Sequence, residues 1–492
     1  MRKHWGNLEI IFLALILFFS AFVRFYNLDK LAFFTYDQAR DALYIKRIIV
    51  DHTWRLISTQ SSIPGLYNGP AYYYLMAPFL WIFKLNPIGI DYGIAFFNLL
   101  AVLVFYFLVK DLTGNFLLSL LATMVFSFQP QIIFQSRFGW NPNLLPFFSL
   151  LFVFSFWLLK EGKKWAWLIL SFSLAVMLQL HYSSAAFLLI LFCWLFYFRK
   201  KIIFEGFFRL SLILFLFIMS PLLLFDLRHN FVNIKAVFLY FFQGAPGKIA
   251  PPPFLTGLWQ KTEYLLPKMV FGVNNQAGNL FLILILFFIV IFVYRNSQKL
   301  KEGLFLISCW LGGGILFSSF YQGSFFNFYL TFLYPAGFLL LALLSDFFWQ
   351  KAKILKIFLI SLFVFLAIGN YRQLTIFQSP SRTIGDLKKE AQIIAKDAPL
   401  DKPFNLAAVL KGERFDHNAV DYRYFLETYY QKKALDWEPI DYQKAQILYL
   451  ISEEELKDPL TIRVMEVEEF QPKVVLEQIT LPSGRIVYKI GK

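Results

Sequence analysis

With 492 residues, 58% of them hydrophobic and only 16% charged, against roughly 25% charged in soluble globular proteins, the chain reads as a polytopic membrane protein. Its net charge of +15 sits mainly as Lys and Arg at the ends of apolar runs, with no continuous basic stripe, which argues against nucleic-acid binding and for topology signals and lipid-surface contacts. The two cysteines, Cys193 and Cys309, lie inside apolar runs and read as packing residues rather than a disulfide or metal pair.

A helix needs about 20 residues to cross roughly 30 Å of hydrocarbon. The first such run, Leu8 to Phe25, follows Arg2 and Lys3. It is too long for a signal-peptide core and lacks a small-x-small cleavage site, so an uncleaved first span is expected. Residues 27–90 follow as a long polar-aromatic loop that opens on Phe33-Phe34-Thr35-Tyr36-Asp37-Gln38-Ala39-Arg40-Asp41-Ala42. If a helix begins here, Asp37, Arg40, Asp41 and Tyr44 fall at i, i+3, i+4 and i+7 and share one face, which gathers two carboxylates, a guanidinium and a phenol. The same residues have a structural use, because Thr35 and Gln38 make a capping box and an acid in the first turn suits the helix dipole. Residues 38–50 are expected as an amphipathic surface helix, and 70–85, with Tyr72, Tyr73, Tyr74 and Trp81, as a second interfacial helix.

Further spans are expected at about 91–109, 115–132, 143–159, 165–182, 184–198, 208–225, 279–294, 303–320, 328–347 and 356–371, eleven with the first. Basic residues collect at one end of these runs, among them Lys110, Lys160, Lys164, Lys201, Lys299 and Lys356, whereas the short loops at the other end hold mainly Arg137 and Arg372. By the positive-inside rule the N-terminus is cytoplasmic and the C-terminus extracytoplasmic, in a multi-pass protein of the cell membrane. The 27–90 loop, the Gln135–Pro142 turn, the 226–278 loop and the C-terminus then share the outer face. In the 226–278 loop the stretch from Gly244 to Pro253 reads as a flexible connector or lid. Gly312-Gly313-Gly314, inside a span, reads as close helix packing.

After Tyr371 the composition turns charged. Helices are expected at 383–396 and 419–432, and strands at Phe404–Leu410, Ile447–Ile451, Lys473–Leu481 and Ile486–Ile490. The domain division expected is therefore residues 1–375 in the membrane, with outer loops 27–90 and 226–278, and 376–492 as a small α/β domain outside it.

Polar residues that share the outer face are the candidates for a site. Arg137 and Asn141 lie in the turn Arg137-Phe138-Gly139-Trp140-Asn141-Pro142, and Arg137 is a positive charge against the positive-inside trend. His181 and Tyr182 stand at the end of the fifth span. Asp226, Arg228 and His229 follow the seventh, where the cost of boundary charges makes an Asp226–Arg228 pair the expectation. Tyr329 lies near the outer end of the tenth span and either faces the same cavity or joins the aromatic belt. No His-x-x-His, Cys-x-x-Cys, P-loop or dinucleotide fingerprint is present.

An uncleaved first span, an acidic motif opening the first outer loop and a Gly-Pro-x-Tyr-Tyr-Tyr-Leu surface helix, here Gly69 to Leu75, resemble the GT-C superfamily of membrane glycosyltransferases. The likeness is greatest to the family 39 branch of protein O-mannosyltransferases and lipid A aminoarabinose transferases. The resemblance implies a polyprenyl-phosphate sugar donor, inversion at the anomeric carbon, and a lipid, glycan or protein acceptor approaching from the outer side. It implies Asp37 as general base, and it departs from the family where Gln38 follows in place of a second acid. Asn68 stands where the aminoarabinose branch has a glutamate, so a divalent metal ion is left open as a cofactor. The substrate pocket expected around Asp37 draws on Arg40, Asp41, Tyr44, Asn68, Tyr72, Arg137, Asn141, His181, Tyr182, Asp226, Arg228, His229 and Tyr329. The alternatives are a transporter or flippase of a lipid-linked saccharide, and a polymerase or ligase using a polyprenyl-diphosphate glycan. A transporter calls for broken helices and midplane charges, whereas the spans here are nearly free of charge.

Overall fold

The apolar runs become helices because a chain in hydrocarbon must satisfy every backbone donor and acceptor within its own segment. In the computed structural model, which describes residues 6–202, 204–243, 253–321, 323, 325–378, 383–399, 401–410 and 417–492, eight helices are long and apolar enough to cross a membrane, counting the described residues. A ninth span is formed if Phe116–Ser127 and Pro130–Ser136, bent by 64° at their junction, are taken together. The bend has a local cause: Pro130 has no N–H to continue the first helix, and the Gln129 side chain caps the second by accepting from Ile132 N. The two remaining apolar runs form the shorter helices Ala166–Leu180 and Tyr182–Phe198. Each of the eleven expected spans is thus helical, and the chain is a polytopic α-helical membrane protein.

The chain packs as two compact units. The first holds Met1–Tyr26, Trp54–Leu75 and Asp91–Phe377; the second holds Asn27–Thr53, Met76–Ile90 and Gln378–Lys492. In space, therefore, two stretches of the first polar loop belong with the C-terminal residues.

Within the first unit, Asn141–Lys160 and Asn327–Trp349 are largely buried, whereas Gly206–Arg228, Gln276–Asn296 and Lys353–Arg372 bury only 17% of their apolar window, as lipid-facing helices do. The buried acid Glu9, in the first helix, is met by Lys110 and the Tyr106 hydroxyl, so its charge is paired rather than left bare among apolar helices. Residues 226–278 contain more regular structure than a loop. Val232–Gln243 is a helix, and Phe254–Glu263 continues through a π-turn at Tyr264–Lys268 into Met269–Phe271. The wide turn falls on Pro267, which cannot donate to the helical ladder. Of the expected flexible connector, residues 244–252 lie outside the described residues.

In the second unit the strands β1 (Phe404–Val409), β2 (Ile447–Ser452), β3 (Val474–Thr480) and β4 (Ile486–Gly491) form a sheet of order β1-β2-β4-β3. β1 and β2 run parallel, with Phe404 opposite Ile447; β4 is antiparallel to both its neighbours. The parallel pair needs a crossover, and Val420–Tyr429 and Pro439–Lys444 provide it. Ala407, Leu450, Tyr442, Phe470 and Tyr488 form the core beneath the sheet. This is the small α/β fold expected from the alternation of charged helix and apolar strand.

Candidate active site

The acidic motif lies in the second unit, on the helix Tyr36–Val50. Thr35 caps it in a capping box with Gln38, whose Oε1 accepts from Thr35 N at 3.0 Å, and this fixes where the helix starts. One turn in, the expected i, i+3, i+4 face is formed. Arg40 NH1 lies 2.8 Å from Asp37 Oδ1, and its Nε lies 3.1 Å from Asp41 Oδ1. The two acids differ in access: the Asp41 side chain is 1% exposed and that of Asp37 41%. Asp41 is thus the buried counter-ion of the guanidinium, and Asp37 the carboxylate that solvent can reach. Tyr44, a further turn along, sets its ring against Trp437, centroids 6.4 Å apart.

The other candidates belong to the first unit, where several converge on the segment Trp54–Leu75. The Tyr182 hydroxyl donates to Tyr67 O at 2.5 Å, and Tyr67 N donates to Asn233 Oδ1 at 2.7 Å. Asn233 N in turn donates to Asp226 Oδ1 at 2.9 Å. The Tyr329 hydroxyl donates to Ser62 Oγ at 3.1 Å, and Tyr321 shares that oxygen at 2.8 Å. Asn141 Nδ2 donates to Leu180 O at 2.5 Å and so fixes the chain immediately before His181. Between these groups lies a cavity of about 230 Å³, largely apolar, with Ser61, Ser62, His181, Tyr182, Tyr321 and Tyr329 on its wall.

His181 is the most defined of the polar groups there. Its ring lies tilted against Tyr329, centroids 5.0 Å apart, and Nδ1 accepts from Ser183 N at 3.2 Å. A ring nitrogen that accepts from a backbone N–H carries no hydrogen, so this hydrogen-bond network assigns the proton to Nε2. Its Nε2–H is thus a donor fixed in the cavity wall.

Asn68 and Tyr72 are both buried. Asn68 is held in a turn by backbone pairing with Ser58 and Thr59, with Nδ2 3.4 Å from Thr59 Oγ1. Gly69 beside it touches Gln179 so closely that a Cβ would lie 2.4 Å from Gln179 Cγ, which explains a glycine there.

Arg137 is committed elsewhere. NH1 donates to Val23 O and Arg24 O, both at 3.1 Å, and NH2 to Tyr26 O at 3.0 Å, so its charge caps the carbonyl end of the first helix. Burial lowers its pKa, with Asp91 opposing. The expected Asp226–Arg228 ion pair does not form among the described residues: Asp226 is buried and caps Asn233, whereas Arg228 is exposed. The pairing argument assumed both groups sit at one depth, but the helix places them on different faces. His229 is also exposed and stacks on Phe225 at 4.2 Å.

Sequence reading missed Ser62, Asn233 and Tyr321, because a serine or one tyrosine among 25 carries no spacing signal. It also missed Arg24, fully buried, which donates to Ser20 O, Ser20 Oγ and Ser127 O. The signal that singled out Arg137, a cation against the positive-inside trend, marks Arg24 as well. Among the described residues no three His, Cys, Asp or Glu side chains gather as a metal set.

No protein-family profile matches the chain, and no curated protein sequence does. Solved structures do. ArnT from Cupriavidus metallidurans bound to undecaprenyl phosphate is 12% identical, with a TM-score of 0.61 over 98% of this chain and 98% of that one. The apo state of the same protein is 13% identical, with a TM-score of 0.60 and the same coverage. The chain described here therefore has the fold of ArnT.

Proposed function

We propose that this protein is an inverting GT-C glycosyltransferase that moves a sugar from a polyprenyl-phosphate donor to an acceptor at the extracytoplasmic face of the membrane. The observation that carries the reading is the likeness, over 98% of both chains, to an ArnT that holds undecaprenyl phosphate. The largely apolar cavity beside His181 and Tyr329 supports it, since an isoprenoid chain needs an apolar wall and a sugar or phosphate needs a few fixed donors.

In the proposed reaction the acceptor hydroxyl oxygen attacks the anomeric carbon as its proton passes to the Asp37 carboxylate. The bond from that carbon to the phosphate oxygen breaks on the opposite face, which inverts the configuration. The electron pair leaves on the phosphate, and polyprenyl phosphate is released. Arg40 holds Asp37 in place, 2.8 Å away. The acceptor is a lipid, glycan or protein.

Asp37→Asn tests the assignment. The variant keeps shape and fold, binds polyprenyl phosphate as the parent does, and loses turnover by more than about a hundredfold, within the range of general-base removal. Near-normal turnover would reject Asp37 as the base.

A further inference from the structure

We propose that the C-terminal α/β fold is the holder of the Asp37 helix rather than a separate recognition module, with Glu427 as a positioning residue. The inference rests on the catalytic reading of Asp37 given above. Both flanks of the acidic motif are fastened to C-terminal residues within the second unit. On the upstream side Phe33 bridges Thr383, Ile384 N donates to Ala32 O at 3.2 Å, and the buried Phe34 ring packs 5.7 and 5.6 Å from Tyr424 and Phe425. On the downstream side the Glu427 carboxylate takes Lys46 at 3.0 Å and Arg47 at 3.3 Å.

The same helix, Val420–Tyr429, has a third hold. Tyr424 and Tyr429 hydroxyls donate to Leu85 O at 2.7 and 3.2 Å, and Lys84 and Leu85 adopt φ of 52° and 63°. That left-handed backbone is costly for residues with a Cβ and persists only where surroundings enforce it. One C-terminal helix therefore clamps both second-unit pieces of the first polar loop.

The ionic part is the specific one. Glu427 is half-buried and faces two cations; the other acids near them, Asp51 at 3.5 Å from Lys46 and Asp436 at 3.6 Å from Arg47, are much more exposed. Burial works against the Glu427 charge, and Lys46 and Arg47 overcome it and hold its pKa below the usual range. Removing that carboxylate leaves the partly buried Lys46 and Arg47 beside the more exposed and more distant Asp51 and Asp436. The helix bearing Asp37 then loses its downstream anchor while Asp37, Arg40 and Asp41 remain chemically intact.

The test replaces Glu427 in the full-length protein and reads both kinetics and deuterium uptake of the Tyr36–Val50 amides. In Glu427→Lys, kcat falls by about tenfold or more, the scale of a misplaced catalytic group, while KM for the lipid donor stays within about twofold and uptake rises over 36–50. Adding Lys46→Glu restores an opposite-charge pair and recovers most of both losses. Should Glu427→Lys fail to fold, Glu427→Gln carries the same reading with a smaller change. Unaltered kcat and unaltered uptake in a protein whose Asp37→Asn variant is inactive would overturn the holder. An active Asp37→Asn variant would instead sink the base assignment, and the uptake data alone would then decide whether the helix is held.

Discussion

Asp37 and Asp41 carry the same side chain one helical turn apart and Arg40 pairs with both, yet one carboxylate is buried and the other stays accessible. Their grouping was legible because i, i+3 and i+4 spacing on a capped helix dictates it. Which acid would be exposed was not, since that depends on what the helix packs against. His181 shows the same limit. Its place at a helix end was readable, but which ring nitrogen carries the proton follows from the Ser183 N–H that Nδ1 accepts.

Helices and strands were the most legible level. Runs of about 20 apolar residues admit one solution in hydrocarbon, and all four strands of the C-terminal sheet fall on short runs rich in apolar and β-branched residues. The 226–278 stretch reads as a loop in sequence because its proline- and glycine-rich middle hides the helical periodicity of Val232–Gln243 and Phe254–Glu263 on either side. The three glycines at 312–314 permit a graded test of helix packing. A Cβ on Gly314 would lie 2.4 Å from Leu333 Cδ2, one on Gly313 3.2 Å from Ile190 Cγ1, and one on Gly312 meets nothing within 4 Å. Gly314→Ala accordingly costs about 1–3 kcal/mol by overpacking, whereas Gly312→Ala changes stability by less than about 0.5 kcal/mol. Equal melting temperatures for the two variants would contradict the close approach.

At the scale of the whole molecule, chain order and spatial order part company. The first polar loop is continuous in sequence, yet Asn27–Thr53 and Met76–Ile90 fold with the C-terminal residues and Trp54–Leu75 does not. Composition could mark the change after Tyr371, but no local pattern announces that residues near 40 and near 427 share a salt bridge. The orientation proposed from the basic residues puts the C-terminal fold outside the cell. A cysteine at the exposed Lys389, in a background without Cys193 and Cys309, should react with an impermeant maleimide in intact cells; protection until the cells are opened would reverse the topology. The enzyme reading itself is met most directly by incubating the purified protein and its Asp37→Asn variant with polyprenyl-phosphate sugars and candidate acceptors while following release of polyprenyl phosphate. The account predicts acceptor-dependent release from wild type for at least one donor and, for that donor, a loss of more than about a hundredfold in the variant. Equal release from both proteins would contradict it.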